Sequence, residues 1–271
     1  MKSMTDLNFQ TKIQHGVMML QPKCNMSCSF CITEDSMDTM SYTVAESLLR
    51  DFKRRGFSSA IFGGGEPFFW PHDLKSILQF AKSLGLTTQI GTNAIKMPQD
   101  LESWNFVDRW VIPIDGASRD VHNDLRQFRD RHWDIVTHAL KLLQIAGKST
   151  TISTVLTTIN RHEILEIGEY LRQLQNLAKK PFLHAWHLYR FLPFGRGGRI
   201  NRQHLEMPQS EYETLVRQVR GLNLPFKVFK RENMQMSKTV EFFWVENGRL
   251  MAQSGARGVI EMPAPTISSR S

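Results

Sequence analysis

The stretch Cys24-Asn25-Met26-Ser27-Cys28-Ser29-Phe30-Cys31 holds all three cysteines of the 271-residue chain. None is left over for a disulfide framework, so the thiols read as ligands of one metal centre. Three thiolates can hold three irons of a cubane [4Fe–4S] cluster and leave the fourth open to a ligand that is not protein. A structural zinc site is closed and takes four protein ligands, often as Cys-x2-Cys pairs separated by a long spacer. Here the spacing is Cys-x3-Cys-x2-Cys, and the nearest histidines, His15 and His72, stand at no regular ligand distance from it. Cluster, zinc and three structural thiols are the readings that spacing leaves open, and the clustering favours the first.

Around this window, short apolar runs alternate with amphipathic segments, the pattern of a β/α architecture with parallel strands. Val17 to Gln21 reads as a strand running into the cysteine loop. Thr43 to Gly56 carries Val44, Leu48, Leu49 and Phe52 on one helical stripe and stops at a glycine. Ser59 to Phe62 is a second strand, and Pro71-His72-Asp73 opens a helix through Leu84. Leu86 to Gly91, Val107 to Ile114, Thr150 to Leu156 and Leu183 to Phe191 are further strands, with helices at Trp133 to Ala146 and His162 to Leu177. Periodicity alone says α/β, with ligands expected at the carboxyl ends of the strands.

A second motif, Phe62-Gly63-Gly64-Gly65-Glu66-Pro67-Phe68, follows the second strand. Cys24, Cys28 and Cys31, with Phe30 before the last cysteine, together with this glycine-rich segment resemble the two signatures of the radical S-adenosylmethionine (SAM) superfamily. The resemblance covers roughly Val17 to Gly195. It implies a partial (β/α)6 TIM-like barrel, a [4Fe–4S] cluster on the three cysteines, and SAM chelating the open iron. By the same resemblance Gly64, Gly65 and Glu66 meet the amino group of SAM. Thr92-Asn93 is similar to a step near the SAM ribose, and Asp115, His122 and Arg126 resemble an Asp-Gly…His…Leu-Arg stretch. Thr154 and Arg190 complete the candidate cofactor-binding set, with Thr154 where adenine is held. The implied activity is reductive cleavage of SAM to a 5′-deoxyadenosyl radical that abstracts a hydrogen atom from substrate. A low-potential donor such as flavodoxin or ferredoxin is the implied partner.

Beyond Pro193 the texture changes. Phe194 to Arg199 is rich in glycine and arginine, Gln209 to Arg220 reads as a helix, and Asn247-Gly248 between two apolar runs signals a β-hairpin. The division expected is a core barrel over 1–195, an extension with helix and hairpin near the barrel mouth over 196–262, and a disordered tail over 263–271. No cysteine follows Cys31, so auxiliary clusters and a cysteine hydrogen donor are unsupported; Tyr42, Tyr170, Tyr189 or Tyr212 would have to serve as donor. His187 reads as a core histidine. The segment Arg231 to Ser237 is similar to viperin-type members that dehydrate a nucleoside triphosphate, with Arg196, Arg199, Arg202 and Lys227 as cations for its phosphates. That leans the substrate towards a small molecule or nucleotide. A ribosomally made peptide is the alternative, and a non-catalytic iron–sulfur or zinc protein is the alternative of another class.

Net charge is +8, with modest basic clusters at Lys53 to Arg55, Arg126 to Arg131 and Arg190 to Arg202. No nucleic-acid-binding pattern accompanies them, so nucleic acid is not the expected partner. No apolar run approaches the ~18–20 residues of a membrane span. The first sixteen residues have no apolar stretch of secretory type, and an oxygen-sensitive cluster points to a reducing, cytoplasmic setting.

Overall fold

A computed structural model describes residues 14–255 and 258–263. The expected tail from 264 onward lies outside them. One curled sheet dominates. Its main strands are β1 (His15–Met19), β2 (Ser59–Gly63), β3 (Thr87–Gly91), β4 (Arg109–Pro113), β5 (Thr150–Leu156), β6 (Leu183–Arg190), β7 (Lys227–Arg231), β8 (Val240–Glu246), β9 (Arg249–Ser254) and β10 (Gly258–Glu261), and the short Met37–Asp38 pairs antiparallel with the end of β8. The order across the sheet is β7-β6-β5-β4-β3-β2-β1-β8-β9-β10. From β7 to β8 every pairing is parallel; β9 and β10 are antiparallel additions. The result is the partial TIM-like barrel, with antiparallel strands at its C-terminal end.

Helices α1 (Tyr42–Arg55), α2 (Leu74–Ser83), α3 (Arg119–Leu125), α4 (His132–Ile145), α5 (Ile164–Asn176) and α6 (Gln209–Gly221) accompany the strands. Their ends follow local chemistry. Ser41 and Asp73 accept the Val44 and Ser76 amides at the starts of α1 and α2, each cap contributing about 1 kcal/mol. Gly56 closes α1 at φ 73°, where a Cβ would be strained. Ala45, Leu48, Leu49 and Phe52 form the buried stripe of α1. A Cβ on Gly16 would come within 2.2 Å of the Phe52 ring, so β1 carries glycine where the helix presses on it.

Three expectations need correcting. The first strand begins at His15 and ends at Met19, two residues earlier than periodicity suggested, because His15 already pairs with Ser59 and Val240 on its two sides. The hairpin is part of the barrel sheet itself rather than a separate extension packed against it. Its first strand, β8, lies parallel to β1 with Val17 opposite Phe242, satisfying the edge of β1 that β2 leaves open. The hairpin turn itself is as read, with Asn247 and Gly248 both at positive φ. Finally, β7 was not foreseen: Lys227-Val228-Phe229-Lys230-Arg231 has too few apolar residues to read as a strand, yet it pairs along β6.

Side chains alternate along the strands between a helix side and an inner side. Trp110, Ile112, Ile152, Trp186 and Leu188 are fully buried in the main core. Val17, Ile61, Gln89, Val111, Val155 and Phe242 face a single cavity of about 730 Å³ on the inner side. That volume is within the usual range for small-molecule sites.

Candidate active site

The cysteine loop leaves the C-terminal end of β1, and Cys24, Cys28 and Cys31 all line the cavity. Two clamps hold it. Ser27–Cys28 pairs antiparallel with Arg126–Gln127 just after α3. On the other side, Gly195–Gly198 forms one helical turn whose Gly197 and Gly198 amides donate to the Cys31 carbonyl at 3.0 and 3.3 Å. A Cβ on Gly197 would sit 2.4 Å from the Cys28 carbonyl oxygen, and one on Gly195 2.3 Å from Ile32. The glycines of this segment let backbone lie on backbone. Asn201 adds a hydrogen bond to the Ser29 carbonyl at 3.0 Å.

The glycine-rich segment after β2 packs on the chain leading into Cys24. The Gly65 and Glu66 amides donate to the Gln21 and Lys23 carbonyls at 2.7 and 2.9 Å. Gly64 sits at φ 114°, and a Cβ on Gly65 would stand 2.0 Å from the Lys23 oxygen. Gly63 is different. Nothing lies within 4 Å of where its Cβ would be, and Gly91, ending β3, meets only the Phe62 oxygen at 3.9 Å. These strand ends leave room in the cavity beside the cysteines.

Glu66 is fully buried and turned away from the cavity. Its carboxylate accepts from Thr92 Oγ1 at 2.8 Å, the Asn93 amide at 2.8 Å and the Phe68 amide at 3.2 Å. Burial pushes its carboxyl up, and those three hydrogen bonds pull against that. It thereby fixes the end of β3, so that Asn93 Nδ2 reaches Asn25 Oδ1 at 2.8 Å and Cys24 Sγ at 3.6 Å.

Asp115, also buried and outside the cavity, bonds Arg126 Nε and accepts the Val155 amide at 2.6 Å. Arg126 lies 3.8 Å from Cys28 Sγ and covers the Phe30 ring at 5.0 Å. Burial pushes the Cys28 thiol up to about 11, with Arg126 acting in the opposite sense. The proton therefore leaves Cys28 when a metal takes its place. Arg190 and Arg126 face the cavity, as do Thr92 and Asn93. Thr154 does not. Its Oγ1 donates to the Ile114 carbonyl and accepts Trp186 Nε1 at 2.8 Å on the helix side, while Ser153 and Val155 point inward.

Behind this rim His122, which the sequence places in the Asp-Gly…His…Leu-Arg stretch, pairs with a second buried histidine, His132, that sequence reading missed. The Asp115 amide donates to His122 Nδ1 at 3.1 Å, His122 Nε2 meets His132 Nδ1 at 2.8 Å, and His132 Nε2 meets the Asn93 carbonyl at 2.8 Å. The carbonyl can only accept, so His132 carries its proton on Nε2 and His122 does likewise. Two neutral imidazoles thus tie the ends of β3 and β4 together. Burial, then His132, then Arg126 lower His122 to about 2; burial and Arg126 lower His132 to about 3, the Asn93 carbonyl pulling the other way.

His187 is not a core residue either: it faces the cavity, as Tyr189 does beside it, and Tyr189 is the tyrosine of the four that lines it. The expected phosphate cations are mostly committed on the outer surface: Arg199 to Glu34 at 2.7 Å and Arg202 to Glu206 at 2.7 Å, with Lys227 exposed. Arg196 does line the cavity and hydrogen-bonds the Pro22 carbonyl at 2.9 Å. Among the described residues no three His, Cys, Asp or Glu side chains close on one point as a mononuclear metal site does. In a cubane each thiolate takes a different iron, so its ligands need not share one point. No helix among them is long and apolar enough to cross a membrane.

Residues 18–171 match the family model of the radical SAM superfamily. An AdoMet-dependent heme synthase from Oleidesulfovibrio alaskensis is 26% identical over 205 residues, covering 71% of this chain and 49% of the relative. An S-adenosylmethionine-dependent nucleotide dehydratase from Lacinutrix mariniflava is 30% identical over 131 residues, 44% of this chain and 26% of the relative. The structure of Streptococcus suis SuiB bound to S-adenosylmethionine superposes with a TM-score of 0.67 at 15% identity, covering 88% of this chain and 60% of that one, which is a likeness of fold. The chain spans about half the length of the heme synthases it matches. With the family model covering more than half of it, this chain belongs to the radical SAM superfamily, enzymes that work with a [4Fe–4S] cluster, SAM, a reductant and a substrate.

Proposed function

We propose that this chain reductively cleaves SAM and removes a hydrogen atom from a small molecule, with a nucleotide as the leading case. The observation that carries this is the shared cavity: three thiols on one wall, and beside them two strand ends, Gly63 and Gly91, with no side chain to fill the space. The residues fit the cofactors. Cys24, Cys28 and Cys31 would hold three irons, leaving the fourth for the amino and carboxylate groups of SAM. Gly64 and Gly65 would offer backbone to the amino end, and Thr92 and Asn93 the ribose side. The bound pair supplies the hard chemistry: one electron breaks the sulfonium C–S bond, and the adenosyl fragment takes hydrogen from substrate.

The protein's own part is positioning. Glu66 and the His122–His132 pair hold Asn93 against Cys24; Asp115 aims Arg126 at Cys28. Met26, Phe30, Val111 and Val155 give the cavity apolar walls that keep water from a reactive intermediate. The small-molecule reading is supported by the two named curated relatives, a heme synthase and a nucleotide dehydratase. The electron would come from a low-potential flavodoxin or ferredoxin, and a reducing compartment such as the cytoplasm suits three free thiols.

Anaerobic reconstitution with iron and sulfide, followed by dithionite and SAM, is the test. Release of 5′-deoxyadenosine and methionine in equal amounts is expected. A reconstituted protein that holds iron and binds SAM yet releases neither contradicts the proposal.

A further inference from the structure

The cavity gathers cations without anions. Among the described residues, five arginines and three histidines line it, and no Asp or Glu does. Arg126 and Arg196 belong to the cysteine loop's surroundings. A second group, His15, Arg109, His184, His187 and Arg231, has no such task. Arg109 Nε and Arg231 Nε are shut off from solvent and bond nothing. The carboxylate that acts on Arg109 is its neighbour Asp108, already engaged by Lys82 and Thr88. Arg231 meets His187 Nε2 at 3.4 Å and stacks over Phe229 at 4.9 Å, a histidine and a ring rather than a counter-ion.

These groups feel one another. Burial, then Arg231, then Arg109 lower His15; burial, Arg231, His184 and Arg109 lower His187 to about 3. Like charges gathered in a cavity without a partner are unfavourable until an anion enters. Position matters too. His15 and Arg109 are the first residues of β1 and β4, whereas the cysteine loop leaves the other end of β1; Arg231 is the last residue of β7, yet its charge acts on both His15 and His187.

We propose that the end of the lumen around Arg109 and Arg231 binds the anionic part of the substrate, a phosphate or polyphosphate ester, leaving its carbon skeleton towards the cysteine loop. This rests on the radical SAM reading above and adds a substrate class to it. Two guanidinium forks with three imidazoles exceed what one carboxylate needs, and they match the doubly bonded recognition that phosphate oxygens allow.

Calorimetric titration of the cluster-loaded protein with inorganic tripolyphosphate, at fixed ionic strength, tests it. Binding is expected in the wild type, weakened at least about tenfold by Arg109→Gln and by Arg231→Gln. Arg217→Gln, on the exposed face of α6, should bind as the wild type does. Without anion, Arg109→Gln should melt higher than wild type, because it relieves repulsion; an arginine with a merely structural role would melt lower. Tripolyphosphate should raise the wild-type midpoint more than the variant's. No binding by the wild type, binding by both lumen variants as tight as the wild type's, a lower midpoint for both, or tighter binding of citrate overturns the proposal. Release of 5′-deoxyadenosine by the wild type, recorded on the same preparation, reports separately on the radical chemistry.

Discussion

The rim and the lumen of this barrel are built by different means. At the rim, backbone lies on backbone: Gly64 and Gly65 against Gln21 to Lys23, Gly195 and Gly197 against Cys28 to Ile32. Carboxylates and imidazoles there are spent on positioning amides, not on ligands. Deeper in, side chains at alternate strand positions line the cavity, and among the described residues no Asp or Glu lines it beside Arg109 and Arg231. The contrast separates chemistry shared across a family from recognition that belongs to one chain. A rim that must grip a cluster and SAM tolerates little change in shape, while a lumen that must fit one substrate is free to vary.

The largest effect expected is at the rim. Cys28→Ala should bring iron content and 5′-deoxyadenosine release close to zero, read by iron assay and chromatography; retention of either would break the ligand assignment. Next, Gly65→Ala should destabilise the fold by about 3 kcal/mol or more, since its Cβ would meet the Lys23 carbonyl at 2.0 Å. Gly63→Ala is the sharper counterpart. Its Cβ enters open space, so urea unfolding should change little while KM for SAM rises. Equal unfolding midpoints for the two variants would remove the distinction between packing glycine and cavity glycine.

The buried histidine pair predicts a pH dependence. Both imidazoles have folded values far below the ordinary 6.5, about 2 for His122 and about 3 for His132. A depressed folded value means the unfolded chain binds the proton more tightly, so the stability these groups confer is present above pH 6.5 and declines below it. Each contributes a slope of up to about 1.4 kcal/mol per pH unit. Unfolding free energy measured between pH 7 and pH 5 should fall steeply in the wild type and more gently in a His122→Asn, His132→Asn double variant, whatever that variant's offset. Parallel slopes would show that the pair is not neutral in the fold.

The smallest effect is at Thr154, which stands near the end of a cavity-lining strand but on its helix side. Thr154→Val should cost about 1–2 kcal/mol through the lost Trp186 and Ile114 hydrogen bonds, with KM for SAM unchanged. A raised KM with stability intact would place it back at the cofactor.

Much of the rim was legible in the chain because its constraints are local. Three cysteines in eight residues and a run of glycines after a strand carry their meaning in adjacent positions. Glu66, Asp115 and Thr154 show the limit: residue type and strand end were readable, but the direction of the side chain depends on strand phase. The lumen was harder still. Arg109 opens a strand of otherwise apolar texture, and Arg231 ends one whose Lys227 and Lys230 hide its period. They line one cavity because β7 joins β6, a pairing with no sequence-local signature. Once the inner face of each strand is known, the alternation through 109, 111 and 113 and through 229 and 231 points to both arginines.

Electron paramagnetic resonance of the dithionite-reduced, reconstituted protein, recorded before and after adding SAM, bears most directly on whether three thiols leave one iron free. A single reduced-cluster signal per chain that changes shape when SAM is added is the predicted result. A cluster signal indifferent to SAM, or a protein loaded with zinc and giving no signal, would contradict it.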